Sequence, residues 1–218
     1  MKSSFLPPPR EYGSGMIVAV ASIVVAAMLT ACTLTRPSPV KHTYLLEPAA
    51  PAAAAATKPA TLRMGTLTVA APFRSRQLVY RVDDLKYESD FYSEFFVAPA
   101  PMLAEATSRA LVSAKVFKRV IPPGASPDEG DFLLEGFVTD LYGDARDMTK
   151  PAGVMSITYY LSALNPTGPS VIWSREYQQR VPISGTSSDA VVRAWNTALT
   201  SILAELVQDL STASLSQK

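Results

Sequence analysis

The chain has 218 residues, 48% of them hydrophobic and 18% charged, and its 20 basic and 19 acidic side chains leave a formal net charge of +1. A balance this even excludes the basic field that a nucleic-acid partner requires. One cysteine in the whole chain excludes an internal disulfide, so a folded domain must be held by its apolar core.

An export segment comes first. Lys2 and Arg10 precede a run from Met16 to Leu29 that carries no charge, and Leu29-Thr30-Ala31-Cys32 follows at its end. A basic start, a short apolar stretch and a small-residue exit form a secretory signal. An aliphatic residue and two small ones ahead of a cysteine form the bacterial lipobox. The peptidase recognises the aliphatic Leu29 and needs the small side chains of Thr30 and Ala31 next to the scissile bond, while the Cys32 thiol takes diacylglycerol and Cys32 becomes the new N-terminus. Residues 1–31 therefore read as a lipoprotein signal peptide.

The alternative is an uncleaved anchor, since the uncharged stretch runs from Gly13 to Thr35 and meets the roughly 20 residues a spanning helix needs. Arg36 and Lys41 beyond it weigh against that orientation. Either reading exports the rest of the chain. One acyl chain of palmitate size holds weakly and several hold firmly, so a triacylated Cys32 stays in the membrane. Thr33 rather than an aspartate follows Cys32, which by the sorting rule of enteric lipoproteins implies the periplasmic face of the outer membrane. Cleavage removes Lys2, Arg10 and Glu11, leaving 187 residues with 18 basic and 18 acidic side chains, enough chain for one domain.

Residues 32–60 read as the lipidated N-terminus and a Pro/Ala-rich tether, because Pro48, Pro51 and Pro59 interrupt the alanines. Within it His42-Thr-Tyr-Leu-Leu46 is more apolar, and Tyr44–Leu46 is a candidate first strand. Residues 61–212 carry the domain pattern. Leu62–Ala70 and Gln77–Val82 alternate as strands, and Tyr87–Val97 is aromatic and extended. Pro99 and Pro101 suit a helix start, and Met102–Val116 follows as a helix whose narrow face is Leu103, Ala106, Ala110 and Ala114.

Ile121–Gly130 is a loop on its turn residues. Phe132–Tyr142, Val154–Leu164 and Val171–Val181 then alternate with period two. In the middle one Met155, Ile157, Tyr159, Leu161 and Ala163 oppose Ser156, Thr158, Tyr160 and Ser162, the pattern of a half-buried antiparallel strand. Asn165–Pro169 is a hairpin connection. Gly185–Asp189 supplies N-cap residues, and Val192, Trp195, Leu199, Ile202, Leu206 and Leu210 make the stripe of a closing helix. Residues 213–218 read as a flexible tail. The expected fold is α+β, an antiparallel or mixed sheet with two main helices packed on one face.

Chemistry is sparse. The single histidine, His42, lies in the tether, so a nucleophile in the domain has no histidine base. Cys32 is committed to lipid, no His/Cys cluster suits a transition metal, and no GxxxxGK[ST] loop cradles a nucleotide. Asp83, Asp84, Glu88, Asp90 and Glu94 read as a solvated turn and strand edge. No catalytic residue, metal or cofactor is expected. Tyr80, Tyr87, Phe91, Tyr92, Phe95 and Phe96 fall within seventeen residues. Alternation sends some of them into the core and leaves others as a surface for a protein partner or a lipid.

Gln77-Leu-Val-Tyr-Arg81, Tyr87, Tyr92, Pro101-Met-Leu-Ala-Glu-Ala106, Ala110-Leu111, Val116-Phe-Lys-Arg-Val120, Trp173-Ser-Arg175 and the alanine-rich last helix together carry a resemblance. In this order the chain resembles the auxiliary lipoproteins of ABC-type transport systems, a group that includes the paraquat-inducible C lipoprotein. Where that family often has a tryptophan before the first helix, this chain has Phe95 and Phe96. The resemblance implies a noncatalytic partner of MCE (mammalian cell entry) proteins, which carry lipids or other hydrophobic molecules between inner and outer membranes, with the ATPase and permease on separate chains. Exposed sheet edges and aromatics leave room for a homo-oligomer. The alternative is an envelope-assembly or scaffold lipoprotein that organises an outer-membrane complex without handling lipid, and an enzyme acting on cell-wall material is a distant third.

Cys32→Ser should abolish lipidation and membrane retention while the domain still folds. Fractionation with mass spectrometry of the N-terminal peptide checks it, and a membrane-bound variant with an intact N-terminal segment would establish the spanning-helix alternative.

Overall fold

The computed structural model describes residues 40–125 and 130–215. The signal segment, the spanning-helix alternative and Cys32 lie outside the described residues. The elements run β1 His42–Tyr44, β2 Lys58–Val69, a 3-10 turn Ala71–Phe73, β3 Gln77–Arg81, β4 Tyr87–Phe95, α1 Pro99–Ala114, β5 Phe117–Ile121, β6 Phe132–Asp144, β7 Ala152–Asn165, β8 Gly168–Pro182 and α2 Ser188–Thr212.

These eight strands form one mixed sheet built on β6. β7 lies antiparallel along its whole length, from Phe132 opposite Ala163 to Asp144 opposite Ala152, and β8 lies antiparallel on β7. The other edge of β6 is shared. β2 runs parallel to its first half, with Leu62 opposite Phe132 and Val69 opposite Val138, and β3 takes its end, with Tyr80 opposite Gly143. β5 extends the sheet beyond β2, and β4 followed by β1 extends it beyond β3. The class is the expected α+β, with two helices on the sheet.

The core forms where the two periodicities meet. Met155, Ile157, Tyr159, Leu161 and Ala163 of β7 are buried, and so is every member of the α2 stripe from Val192 to Leu210. Gly143 and Gly153 are cross-strand partners beneath that helix. A Cβ on Gly153 would stand 2.7 Å from the Ala194 Cβ, and one on Gly143 2.9 Å from Tyr80 Cδ1. Absence of side chains at this pair lets Trp195 lie against the strand backbone, where its Nε1 donates to the Tyr142 carbonyl at 3.2 Å. Ser187 caps the helix, its Oγ accepting from Ala190 N at 3.3 Å.

Three expectations are corrected, and one strand is found where none was expected. β7 is covered on both faces at its start: Tyr142 and the neighbouring Val154 are buried on the side away from the helices, because Phe73 of the 3-10 turn stacks on Tyr142 at 5.8 Å and Tyr87 meets it edge-on at 5.9 Å. The buried face of α1 is broad rather than narrow, taking in Met102, Ala104, Thr107, Ser108 and Leu111 as well as the alanines. Phe117–Ile121 is a strand, hidden from pattern reading because Lys118 and Arg119 occupy its exposed middle.

The third correction concerns the tether. The segment from Leu46 to Ala55 is a strap laid on the two helices, and the strand that follows already begins at Lys58. Leu46 is 1% exposed. Glu47 N donates to Asn196 Oδ1 at 2.7 Å and its carbonyl accepts from Asn196 Nδ2 at 3.0 Å, Ala49 N donates to Thr200 Oγ1 at 3.1 Å, and Ala54 N donates to the Ala114 carbonyl at 2.7 Å. Prolines and alanines suit this role because they present little side-chain bulk, so the backbone can lie close to a helix surface. The strap also explains the breadth of the α1 face. At the far end Lys58 Nζ donates to the Ala213 carbonyl at 2.8 Å, tying the end of α2 to the start of β2.

A strap residue that packs must cost stability when truncated, whereas a tether residue must not. Leu46→Ala should destabilise the domain by about 2 kcal/mol or more, against about 0.5 kcal/mol or less for a free tether position. Urea unfolding of the two proteins measures the difference.

Candidate functional site

The six aromatics are divided by the structure. Phe95 is 1% exposed and packs on Trp195 with ring centroids 5.6 Å apart, so it belongs to the core and not to a partner-facing surface. Tyr80 is half-buried over Gly143, with its hydroxyl 3.4 Å from Ser188 Oγ. Tyr87 is partly exposed but joins the Phe73–Tyr142 ring cluster. Phe91, Tyr92 and Phe96 remain open to solvent at 65%, 47% and 61%.

The cause is local to β4. Asp90 Oδ1 accepts from Tyr92 N at 2.8 Å and from Ser93 N at 3.0 Å, and the β3–β4 register jumps between the Gln77–Glu94 and Val79–Ser89 pairs. This bulge breaks the alternation that would send one of two neighbours inward, and both Phe91 and Tyr92 point outward. Their rings meet edge-on at 5.2 Å. Lys41 Nζ lies 5.1 Å from the Phe91 ring centroid, and Leu45, Phe96 and Val97 continue the exposed apolar border of the β1–β4 pair.

Behind the bulge a polar network fastens β4 and β1 to the start of α2. Asp90 Oδ2 accepts from Ser188 Oγ at 3.1 Å, and Ser93 Oγ lies 2.8 Å from the same hydroxyl. Tyr44 OH donates to Asp189 Oδ1 at 2.7 Å. Burial, with this hydrogen bond to a carboxylate, pushes the Tyr44 phenol up to about 12. Sequence reading marked Asp90 as one of several surface acids and the Ser187–Asp189 stretch as a helix cap, and their meeting needed the fold.

The other acids are engaged as well. Asp84 accepts from Arg146 Nη1 at 3.2 Å, Glu88 pairs with Lys86 at 2.6 Å, and Glu94 pairs with Arg76. Among the described residues no group of three or more His, Cys, Asp or Glu could hold a metal ion. His42 is exposed in β1. Among the described residues no helix is long and apolar enough to cross a membrane. A shallow groove of about 520 Å³ runs between the β2 bulge and the start of α1, lined by Met64, Leu67, Pro101, Ala104, Pro123 and Leu133 together with polar neighbours.

A strong charge cluster escaped the sequence. Asp144, at the end of β6, is buried and accepts from Arg146 Nε at 3.0 Å, Arg146 Nη2 at 2.8 Å and Arg180 Nη1 at 2.5 Å. Arg146 first, and then Arg180, hold its carboxyl well below the usual range, against the opposing effect of burial. A second clamp joins β8 to the end of α2, where Tyr177 OH donates to Asp209 Oδ2 at 2.5 Å and Arg175 Nη1 to Oδ1 at 2.6 Å. Both are fixtures that tie elements together, the first at the end of β6 and the second from the middle of β8 to the end of α2.

The described domain thus combines an open aromatic edge with a strap docked on its helices. The chain belongs to the family of ABC-type transport auxiliary lipoprotein components, whose profile matches residues 44–207. Among solved structures it is similar to a Xanthomonas campestris protein of family DUF330, with 20% identity, a TM-score of 0.67, and coverage of 77% of this chain and 94% of that one. It is also similar to an uncharacterized protein, with 17% identity, a TM-score of 0.57, and coverage of 79% and 97%. At these identities the likeness is one of fold. No curated protein matches the chain.

Because the folded Asp144 carboxyl is more acidic than an unfolded one, its contribution to stability is present above the unfolded pKa near about 4 and is lost as pH falls below it. Asp144→Asn should therefore cost about 2 kcal/mol at neutral pH. The gap to the unsubstituted protein should narrow as pH drops below about 4. Urea unfolding across that range tests this, and a gap independent of pH would refute the charge assignment.

Proposed function

We propose that the protein is a noncatalytic, lipid-anchored component of an MCE-type ABC transport system, working at the periplasmic face of the outer membrane in the movement of lipids or other hydrophobic molecules. The observation that carries this reading is the joining, in one chain, of a lipobox cysteine at position 32 to an ABC-transport auxiliary domain that begins at position 44. Acylation at Cys32 holds the domain at a membrane, and the ATPase and permease are separate chains.

The physical task suits a binding module. A lipid crossing an aqueous compartment must stay shielded throughout, because each exposed methylene costs about 0.8 kcal/mol. The conduit therefore has to meet its receiving membrane closely, and a domain tethered there can hold the conduit's end in register. Among the described residues β8 pairs only with β7, so its outer edge offers backbone groups to a further strand, from an MCE partner or from a second copy of this chain.

Mild crosslinking of intact membranes, followed by capture of the protein and mass spectrometry of bound proteins and extracted lipids, should recover an MCE-domain protein. Clean absence of such a partner, with an outer-membrane assembly complex in its place, would favour the scaffold alternative.

A further inference from the structure

We propose that the open edge formed by β1 and β4 is a membrane-contact surface, on which Phe91, Tyr92 and Phe96 seat in the headgroup region of a phospholipid bilayer. This inference rests on the anchoring of the chain through Cys32. Its first support is that core packing does not account for these side chains. Phe95 satisfies the core at 1% exposure while its neighbour Phe96 stays 61% exposed, and the Asp90 bulge turns two adjacent aromatics outward where a regular strand would bury one.

The chemistry of the edge is that of an interface. Aromatic rings favour the headgroup level of a bilayer, and a lysine there keeps its charge in the polar layer while its stem lies on apolar surface. Here the Lys41 ammonium sits over the Phe91 ring, 5.1 Å from its centroid. The acids beside the edge are already compensated: Glu94 by Arg76, and Asp90 by two backbone amides and Ser188. An approaching lipid phosphate therefore meets a cation and rings rather than free carboxylates.

Chain length selects the bilayer over other occupants. Eight residue steps separate Cys32 from Val40, a span of at most about 28 Å even when fully extended. Lys41, one step further, already touches the aromatic edge. A surface held this close to its own acyl anchor meets the bilayer at high effective concentration, whereas a soluble partner must arrive by diffusion.

The test uses the complete chain, expressed with its signal, purified as the mature lipoprotein and reconstituted into phosphatidylethanolamine and phosphatidylglycerol vesicles with brominated acyl chains. Phe91→Trp places an indole at the edge. Trp195 is buried and Trp173 half-buried, so the unsubstituted protein supplies the baseline. Val112→Trp is the control, since Val112 is 56% exposed on α1 and about 20 Å along that helix from its start. Both sites are exposed, and an unchanged urea midpoint verifies that each variant folds.

Emission from the indole at position 91 should fall about twofold more in brominated than in ordinary vesicles, and emission from position 112 should not. Protein that carries the acyl mass and floats with the vesicles, yet shows no quenching at position 91, overturns the contact and leaves the anchor standing. If that indole is also shielded from acrylamide, a second copy of this chain occupies the edge instead. Protein lacking the acyl mass and failing to float overturns the anchoring at Cys32, and the proximity inference with it.

Discussion

β6 has only two edges and three strands to pair with, and the rest of the domain follows from how that is resolved. β7 takes one edge entirely, so β2 and β3 must divide the other. The chain leaves β6 after Val69, turns through Ala71–Phe73 and returns at Gln77. That detour carries Phe73 onto Tyr142 and closes the sheet face away from the helices. It also sends β3 outward as the root of a separate wing, in which β4 and then β1 are added beyond the reach of β2 and β5.

The wing would be poorly supported by sheet pairing alone, since β3 meets β6 through two residue pairs. It is held instead by α2. Phe95 packs on Trp195, Tyr44 and Asp189 are hydrogen-bonded, and Asp90, Ser93 and Ser188 share a hydroxyl. Trp195 reaches that position because Gly143 and Gly153 leave the strand backbone bare beneath it. An edge fixed so firmly from behind can present aromatic side chains on its outer border without the strand collapsing inward.

Much of this was legible in the sequence where burial is decided by neighbours along the chain. The alternation of β6 and β7 and the stripe of α2 from Val192 to Leu210 read directly, because one face of each meets the core throughout its length, whereas β8 alternates but fully buries only Tyr177. Legibility failed where a side chain's surroundings come from distant segments. The strap looked like a linker because proline and alanine carry no periodic signal, and its partners Asn196 and Thr200 lie about 150 positions away. β5 failed for a related reason, since a short strand with a solvated middle has almost no pattern to show.

The aromatic stretch divides the two kinds of information most clearly. Its residues announced a cluster, and its alternation implied that some rings would be buried and others exposed. The assignment of Phe95 to the core and of Phe91, Tyr92 and Phe96 to the surface depended on a bulge set by Asp90 and on the location of Trp195, a hundred residues further on. By itself the sequence determined the fold class and the family, both properties of residue type and local order. Tertiary structure alone decided that the Pro/Ala segment is a strap, that Asp144 is a buried ionic clamp, and which aromatics remain open, because each depends on contacts between segments that local order does not encode.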